Sequence, residues 1–137
     1  GQIKPERRHC IAQQIDIMPT ILNHVGYSKP YIAFGNDLLN TPDSATWAVN
    51  HTNGIYQYVK GDHVLQFTDG GEVKAIYNYK TDWFMKNNLK NQTAQKEKDM
   101  EQELKAIIQS YMERMIEDRL TWDSAARESN PHKTENQ

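Results

Sequence analysis

Hydrophobic and polar side chains alternate with a period of two between residues 46 and 79. The alternation falls into four short runs, rich in Val, Ile, Tyr, Trp and Phe, that are separated by glycine-containing turns. Such runs predict a four-stranded antiparallel meander, in which Leu65 and Phe67 lie opposite Val64 and Gln66. We expect one face of this sheet to be buried. The predicted strands are 46–50, 55–60, 63–68 and 72–79.

From residue 93 to about residue 122, apolar residues recur at steps of three and four, which predicts one long helix. The stripe does not keep strict heptads, so a core face is preferred to a coiled-coil seam. We expect this helix to pack on the sheet, which makes the fold class α+β. The stripe consists of Met100, Leu104, Ile107, Ile108, Tyr111, Met115 and Trp122.

A shorter helix is predicted ahead of the sheet, from about residue 16 to residue 25. Asp16 can cap its first turn, Pro19 is tolerated early in a helix, and Gly26 suits the left-handed position that ends one. The next stretch, 27–42, contains two prolines and several polar residues. It is therefore expected to be a loop that wraps over a surface.

These elements divide the chain into four parts. Residues 1–9 are polar and form an extended lead-in, with Gly1 interpreted as a residue left by cloning. Residues 10–45 hold the short helix and the wrapping loop, and residues 46–123 hold the sheet and the long helix. The polar segment 124–137 is expected to be disordered.

Composition and charge exclude several classes of function. Hydrophobic residues make up 37% of the chain and charged residues 25%, which is typical of a folded, polar domain. The net charge of −2 argues against a nucleic-acid partner, which usually requires a basic surface. Cys10 is the only cysteine, which excludes an internal disulfide, and the five histidines lack zinc-site spacing. No apolar run is long enough to predict a membrane span or a signal peptide.

Three segments carry a family resemblance. Residues 14–26, QIDIMPTILNHVG, resemble the pattern D-[IL]-x-P-T-[IL]-L-x-x-x-G of the sulfatases and phosphoglycerol transferases in the alkaline phosphatase superfamily. Residues 33–39, AFGNDLL, look like the G-x-S-L segment that follows it. Residues 76–89 are similar to the family's L-Y-D-L-x-x-D-P-x-E-x-x-N-L segment, although Trp83 replaces the Pro and Lys86 stands near the expected Glu. The matched positions are Asp16, Pro19, Thr20, Gly26, Gly35, Tyr77, Asp82, Asn88 and Leu89.

The resemblance implies the C-terminal part of a bacterial enzyme with a large α/β catalytic domain. Segments 15–20 and 31–35 are more similar to the phosphoglycerol transferases, the lipoteichoic acid synthase-like type, than to other sulfatases. Such enzymes act outside the cytoplasm, either in the periplasm or anchored in the membrane and facing outward. They use a Thr, Ser or formylglycine nucleophile beside a divalent metal, here Ca, Mn, Mg or Zn. The substrate stays open among a sulfate ester, a lipid-linked glycerol phosphate and a phosphoethanolamine headgroup.

In that family the nucleophile and the metal ligands lie upstream of the segment that contains Asp16. The resemblance therefore implies that this chain holds no catalytic residue, no metal ligand and no cofactor. Its partner would be the N-terminal catalytic domain of the same chain, and its role would be structural. The short helix carries apolar residues on more than one face, so the isolated chain is expected to self-associate through residues 11–25 or to leave them mobile.

Several polar residues allow a second interpretation. Asp16 is a candidate metal ligand or general base, but a cap or loop anchor is the preferred role. Thr20 is a candidate nucleophile, although a hydroxyl inside a helix usually bonds to the preceding turn. Arg7, Arg8 and His9 are candidate contacts to a substrate anion at the mouth of the parent's active site, against a solvated charge run.

A free-standing binding module is the alternative function. Aromatic residues are frequent on the predicted sheet, and an aromatic surface can recognise a carbohydrate, a peptide or a lipid headgroup. On a half-buried sheet, aromatic residues at alternating positions more often serve packing. The aromatic cluster consists of Trp47, Tyr56, Tyr58, Phe67, Tyr77 and Tyr79.

Overall fold

The structure, a computed structural model, describes residues 7–122. Two short 3-10 turns occur, at Gln14–Asp16 and at Asp43–Ala45. No helix among the described residues is both long enough and apolar enough to cross a bilayer. The regular elements are α1 Ile17–His24, β1 Trp47–Thr52, β2 Ile55–Lys60, β3 His63–Thr68, β4 Val73–Asn78 and α2 Ala94–Ile116.

The four strands form one antiparallel sheet in the order β1-β2-β3-β4. Asn53 and Gly54 connect β1 to β2 with φ angles of 52° and 75°. Two successive positive φ angles give the tight turn whose twist suits a hairpin. The predicted α+β fold, with a four-stranded antiparallel sheet and a long helix after it, is confirmed. The strand bounds differ from the predicted ones by two residues at most.

The hydrophobic core lies between α2 and one face of the sheet. Met100 and Leu104 of α2 are almost completely buried there. Burying a side chain of this size contributes about 1.5–3 kcal/mol to folding. The sheet residues that pack in the same cluster are Tyr58, Leu65, Phe67, Val73 and Ile76.

A polar link fixes α2 over the sheet. The hydroxyl of Tyr58 donates a hydrogen bond of 2.9 Å to one carboxylate oxygen of Glu103, and the ammonium of Lys60 donates one of 2.5 Å to the other. Burial, together with the adjacent carboxylate, raises the pKa of Tyr58 above its ordinary value. Tyr58 therefore stays protonated and continues to donate to Glu103.

The opposite face of the sheet is also partly covered, which differs from the expectation of a single buried face. Val64 and Ala75 point away from α2, and each is less than a tenth exposed. Trp83 and Met85, from the turn that follows β4, border a cleft on this face next to Val64. The alternation of apolar and polar residues predicts which residues share a face of the sheet. It does not predict which segments cover each face.

The long helix ends at Ile116, six residues before the predicted end. Its 23 residues extend about 35 Å, whereas a six-residue strand extends about 20 Å. The helix therefore projects past the sheet, and its apolar stripe is exposed beyond Ile108. Tyr111, Met115 and Trp122 are each more than 40% exposed, so the prediction of a continuous core stripe is wrong at these positions.

Two predicted segments fall wholly or partly outside the described residues. The predicted lead-in covers residues 1–9, of which only residues 7–9 are described. The tail at 124–137 lies entirely outside them. The predicted short helix is present as α1, and Gly26 follows it with a φ of 70°.

Candidate functional site

Asp16 is the acidic residue of the first family-like segment, near its start. Asp16 is completely buried. One of its oxygens accepts a hydrogen bond of 2.6 Å from the backbone amide of Asn36, and the other accepts one of 2.8 Å from the amide of Gln13. The carboxylate thus joins the start of α1 to a loop that lies twenty residues further along the chain.

Thr20 makes a second connection between the same two segments. Its hydroxyl donates a hydrogen bond of 2.6 Å to the carbonyl of Asp16, in the preceding turn of the helix. The same oxygen accepts one of 2.9 Å from the amide of Leu38. Asp16 and Thr20 therefore hold consecutive parts of the loop, and both roles of the Thr20 hydroxyl are used.

Gly35 is the point of closest approach between the loop and the start of α1. A Cβ atom at this position would lie 2.2 Å from the carbonyl oxygen of Ile15, far inside van der Waals contact. Only glycine fits without moving one of the two backbones. We call the set Asp16, Thr20, Gly35 and Asn36 the motif junction.

The end of α1 is built as the sequence predicts. Gly26 adopts the left-handed conformation, and its amide bonds to the carbonyl of Asn23. The amide of Tyr27 bonds to the carbonyl of Leu22. This pair of bonds is the Schellman arrangement, which satisfies carbonyls that would otherwise lack partners at a helix end.

The proposed cap at Asp16 is wrong in one detail. The side chain makes no hydrogen bond to the first turn of α1, because its two oxygens are directed to Gln13 and Asn36. Loop anchoring, the preferred role, is the one that these contacts support. Among residues 7–122, no group of three His, Cys, Asp or Glu side chains is arranged to hold a metal ion.

Gln13, directly before this segment, attaches the motif junction to the sheet. Its side-chain amide donates a hydrogen bond of 3.3 Å to the carbonyl of Trp47 and accepts one of 3.1 Å from the amide of Val49. Both groups belong to the outer edge of β1. Sequence reasoning missed Gln13 and Asn36, although Gln13 directly precedes the first family-like segment and Asn36 directly follows Gly35.

The third family-like segment, residues 76–89, organises the turn after β4. Asn88 accepts a hydrogen bond of 3.2 Å from the amide of Ile76, whose carbonyl accepts one of 2.8 Å from the amide of Leu89. Asp82 accepts one of 2.7 Å from the amide of Asn87. Three of the four matched residues therefore act together. Tyr77 lies within β4, on the face of the sheet that points away from α2, and is separate from those three residues.

The charged residues at the start of the described chain have different environments. Arg8 donates to the carbonyls of Leu38 and Thr41 and pairs with the carboxylate of Asp43. Its guanidinium is thus engaged with the wrapping loop. Arg7 and His9 are exposed. The contacts of Arg8 support loop anchoring rather than the alternative of a substrate-anion contact.

The aromatic cluster is divided between the two faces of the sheet. Tyr58 and Phe67 are buried in the core, so they present no surface to a ligand. Tyr77 lies on the opposite face. The cluster predicted as one recognition surface is therefore not continuous.

An apolar groove remains beside the core. It has a volume of about 350 Å³ and lies between the β1 side of the sheet, the second half of α2 and the wrapping loop. Phe34 and Tyr111 meet edge to face across it, with ring centroids 5.3 Å apart. The aromatic and titratable residues of its wall are Phe34, Trp47, His51, Tyr56 and Tyr111.

The chain was compared with protein-family models, with curated proteins and with solved structures, and none of the three comparisons found a match. Function must therefore be argued from the sequence segments and from the geometry of the motif junction.

Proposed function

We propose that this chain is the C-terminal structural subdomain of a sulfatase-like enzyme, of the phosphoglycerol transferase or lipoteichoic acid synthase-like type. The observation that carries the proposal is the convergence of Asp16, Thr20 and Gly35 in the motif junction. These residues belong to two separate segments that were matched independently. If the two segments matched the family by chance, there would be no reason for their matched residues to lie in contact with each other's segment.

Each matched residue in the motif junction has a role that suits its chemical type. Asp16 supplies two acceptors to two backbone amides, and Thr20 supplies a donor and an acceptor. Gly35 has no side chain and therefore leaves room for the backbone of Ile15. A family that shares this loop closure would share these residues for the same physical reasons, which supports the assignment.

The role proposed for this chain is to hold the wrapping loop and the sheet against the catalytic domain. The parent's reaction would be metal-assisted hydrolysis or transfer at a sulfate or phosphate ester. We assign the nucleophile and the divalent metal to the upstream domain, as the resemblance implies, and no step of the reaction to residues 7–122.

The gene that encodes this chain provides the test. We expect its upstream coding region to contain a Thr or Ser nucleophile with Asp and His metal ligands. The whole gene product should then hydrolyse p-nitrophenyl phosphate or sulfate in the presence of Mn, Mg, Ca or Zn, whereas the 137-residue chain should not. Turnover by the purified chain itself, surviving repeated purification, would contradict the proposal.

A matched pair of variants in the whole gene product tests the structural role. Gly35→Ala should lower its melting temperature and its turnover together, because the loop closure is lost. Gly70→Ala should leave both unchanged, since a Cβ there would lie 3.6 Å from its nearest neighbour. Loss of turnover at Gly35 without loss of stability would place that residue in catalysis instead.

The alternative, a free-standing binding module, is favoured by the apolar groove. Because its wall is aromatic and aliphatic with one histidine, the groove suits an apolar peptide side chain better than a hydrophilic sugar. The binding-module interpretation would be favoured if the upstream coding region encoded no catalytic domain. Intrinsic tryptophan fluorescence, followed during titration with a peptide rich in Leu and Phe, would then measure binding, because Trp47 lines the groove.

A further inference from the structure

Two adjacent aromatic side chains project from the turn that follows β4. Trp83 and Phe84 are each 77% exposed, more than any other aromatic side chain among residues 7–122. Single exposed apolar residues are common on protein surfaces, but two neighbouring large aromatic side chains form an apolar tip. At Trp83 the chain also departs from the family-like pattern, which has a proline there.

The turn is held in place by hydrogen bonds. The amide of Asp82 bonds to the carbonyl of Asn78 at 2.8 Å, and the amide of Met85 bonds to the carbonyl of Asp82 at 3.0 Å. The Asp82 carboxylate accepts the amide of Asn87 at 2.7 Å. Trp83 and Phe84 are therefore presented by an ordered backbone. We call residues 79–86 the aromatic turn.

Positive charge flanks the aromatic pair. The ammonium of Lys80 lies 5.3 Å from the centre of the Tyr79 ring, and that of Lys86 lies 5.5 Å from the centre of the Phe84 ring. The only acidic residue of the turn is Asp82, and its carboxylate accepts the amide of Asn87, directly after the turn. The chain as a whole has a net charge of −2, so this cationic character is local.

The aromatic turn is remote from the motif junction. Gln13 attaches the junction to β1, at one edge of the sheet, whereas the aromatic turn follows β4 at the other edge. Trp83 also lies beside Val59 and Val64, on the face that points away from α2. The motif junction and the aromatic turn thus adjoin opposite edges of the sheet.

From these observations we propose that the aromatic turn docks on the surface of an anionic phospholipid bilayer, with Trp83 and Phe84 in the interfacial region and with Lys80 and Lys86 near the phosphates. Tryptophan prefers the bilayer interface, and each lysine near an anionic surface adds attraction. The inference is independent of the proposed function, because it uses none of the residues of the motif junction.

The small size of the apolar tip favours a bilayer over a protein partner. Two aromatic side chains bury about 150–250 Å² each, well below the roughly 800 Å² per partner that a stable protein interface uses. A bilayer needs no complementary shape, so a small apolar tip with flanking cations is sufficient for reversible binding. A protein partner or a second copy of the chain is the competing outcome of the test.

Sedimentation of the whole chain with vesicles measures the binding. Vesicles of phosphatidylcholine with about one quarter phosphatidylglycerol should bind the chain, and pure phosphatidylcholine vesicles should bind it less. The Trp83→Ala, Phe84→Ala double variant should bind at least about tenfold more weakly. Lys80→Gln with Lys86→Gln should weaken binding by roughly 25-fold and remove most of its salt dependence.

Ile116→Ala is the matched control, because Ile116 is 81% exposed and lies outside the aromatic turn. It should bind like the unaltered chain, and circular dichroism should show that all variants are folded. Equal binding by the aromatic double variant, or no binding by the unaltered chain, would overturn the proposal. If that double variant instead turned a dimer into a monomer in light scattering, the partner would be a second copy.

Discussion

The side-chain oxygen Oδ1 of Asp16 accepts a hydrogen bond of 2.6 Å from the backbone amide of Asn36. The acceptor is completely buried, and removing it would leave this amide without its hydrogen-bond partner. A carboxylate is required because the second oxygen of Asp16 must also accept, from Gln13. One side chain therefore satisfies two backbone donors that secondary structure leaves without partners.

Asp16→Asn should lower the free energy of unfolding by about 1–3 kcal/mol, since its NH₂ group would face a backbone donor. Chemical denaturation measures the loss. Asp118→Asn is the control, because Asp118 is exposed and its φ of 51° is tolerated by asparagine. Equal stability of the two variants would show that the carboxylate of Asp16 is not needed to hold the loop.

Gly35→Ala should cost about 1–3 kcal/mol or more, because its Cβ would collide with the backbone at Ile15. Hydrogen exchange should also become faster at the amides of Asn36 and Leu38, which bond across the junction. Gly70→Ala has no such neighbour and should keep the stability and exchange of the unaltered chain. Unchanged exchange in the Gly35 variant would argue against the close approach.

Leu104→Ala should destabilise the protein by about 2–5 kcal/mol, because Leu104 is completely buried between α2 and the sheet. Ile116→Ala on the same helix should stay within about 0.5 kcal/mol, since that side chain is solvated. Urea unfolding of both variants checks the difference. Similar effects at the two positions would mean that α2 does not pack on the sheet through its first half.

His63 should make stability depend on pH. Burial of the ring, and then the nearby ammonium of Lys96, lower the pKa of His63, while the Asp62 carboxylate opposes them. The unfolded state then binds more protons than the folded state as the pH falls below the ordinary value of 6.5. The stability present above that pH is therefore lost as the pH falls toward the lowered pKa.

Lys96→Gln should reduce this loss, because it removes the positive charge that adds to the shift. Lys98→Gln removes the same charge from another exposed position of α2 and is the control for the change in net charge. Urea unfolding between about pH 7 and pH 5 gives the slopes to compare. If both variants changed the pH dependence of the free energy of unfolding equally, His63 would not be the cause of that dependence.

The isolated chain should self-associate through α1. Ile17, Ile21 and Val25 recur at steps of four and are 57%, 54% and 66% exposed, so they form one apolar stripe. Light scattering should show a mass that rises with concentration and falls in the double variant Ile17→Ser, Ile21→Ser. A strictly monomeric chain, with strong hydrogen-exchange protection over residues 11–25, would instead favour the free-standing module.

The meander and both helices could be predicted because their signals are local. Asn53-Gly54 specifies a tight turn, and the spacing of Met100 and Leu104 specifies one helix face, whatever the rest of the chain does. The end of α2 could not be predicted, because the apolar spacing continues to Trp122 after the sheet has ended. The spacing of apolar residues in a helix does not indicate how far the sheet that packs against it extends.

The interior of the motif junction was predictable only in part. The matched segments identified Asp16, Thr20 and Gly35, but the partners of Asp16 depend on how the loop folds back over twenty residues. The link from Glu103 to Tyr58 and Lys60 had no signal in the sequence, since it spans more than forty residues. Side-chain bonds of this range are set by tertiary packing, which periodicity does not describe.

The side-chain amides of Gln13 and Asn88 have a consequence for aggregation. On the outer edge of β1, the side chain of Gln13 bonds to the carbonyl of Trp47 and to the amide of Val49. On the outer edge of β4, the side chain of Asn88 bonds to the amide of Ile76, and the amide of Leu89 bonds to the carbonyl of Ile76. An incoming strand from another molecule would have to displace these bonds before it could extend the sheet. The two side-chain amides therefore occupy part of each sheet edge and oppose edge-to-edge pairing between molecules.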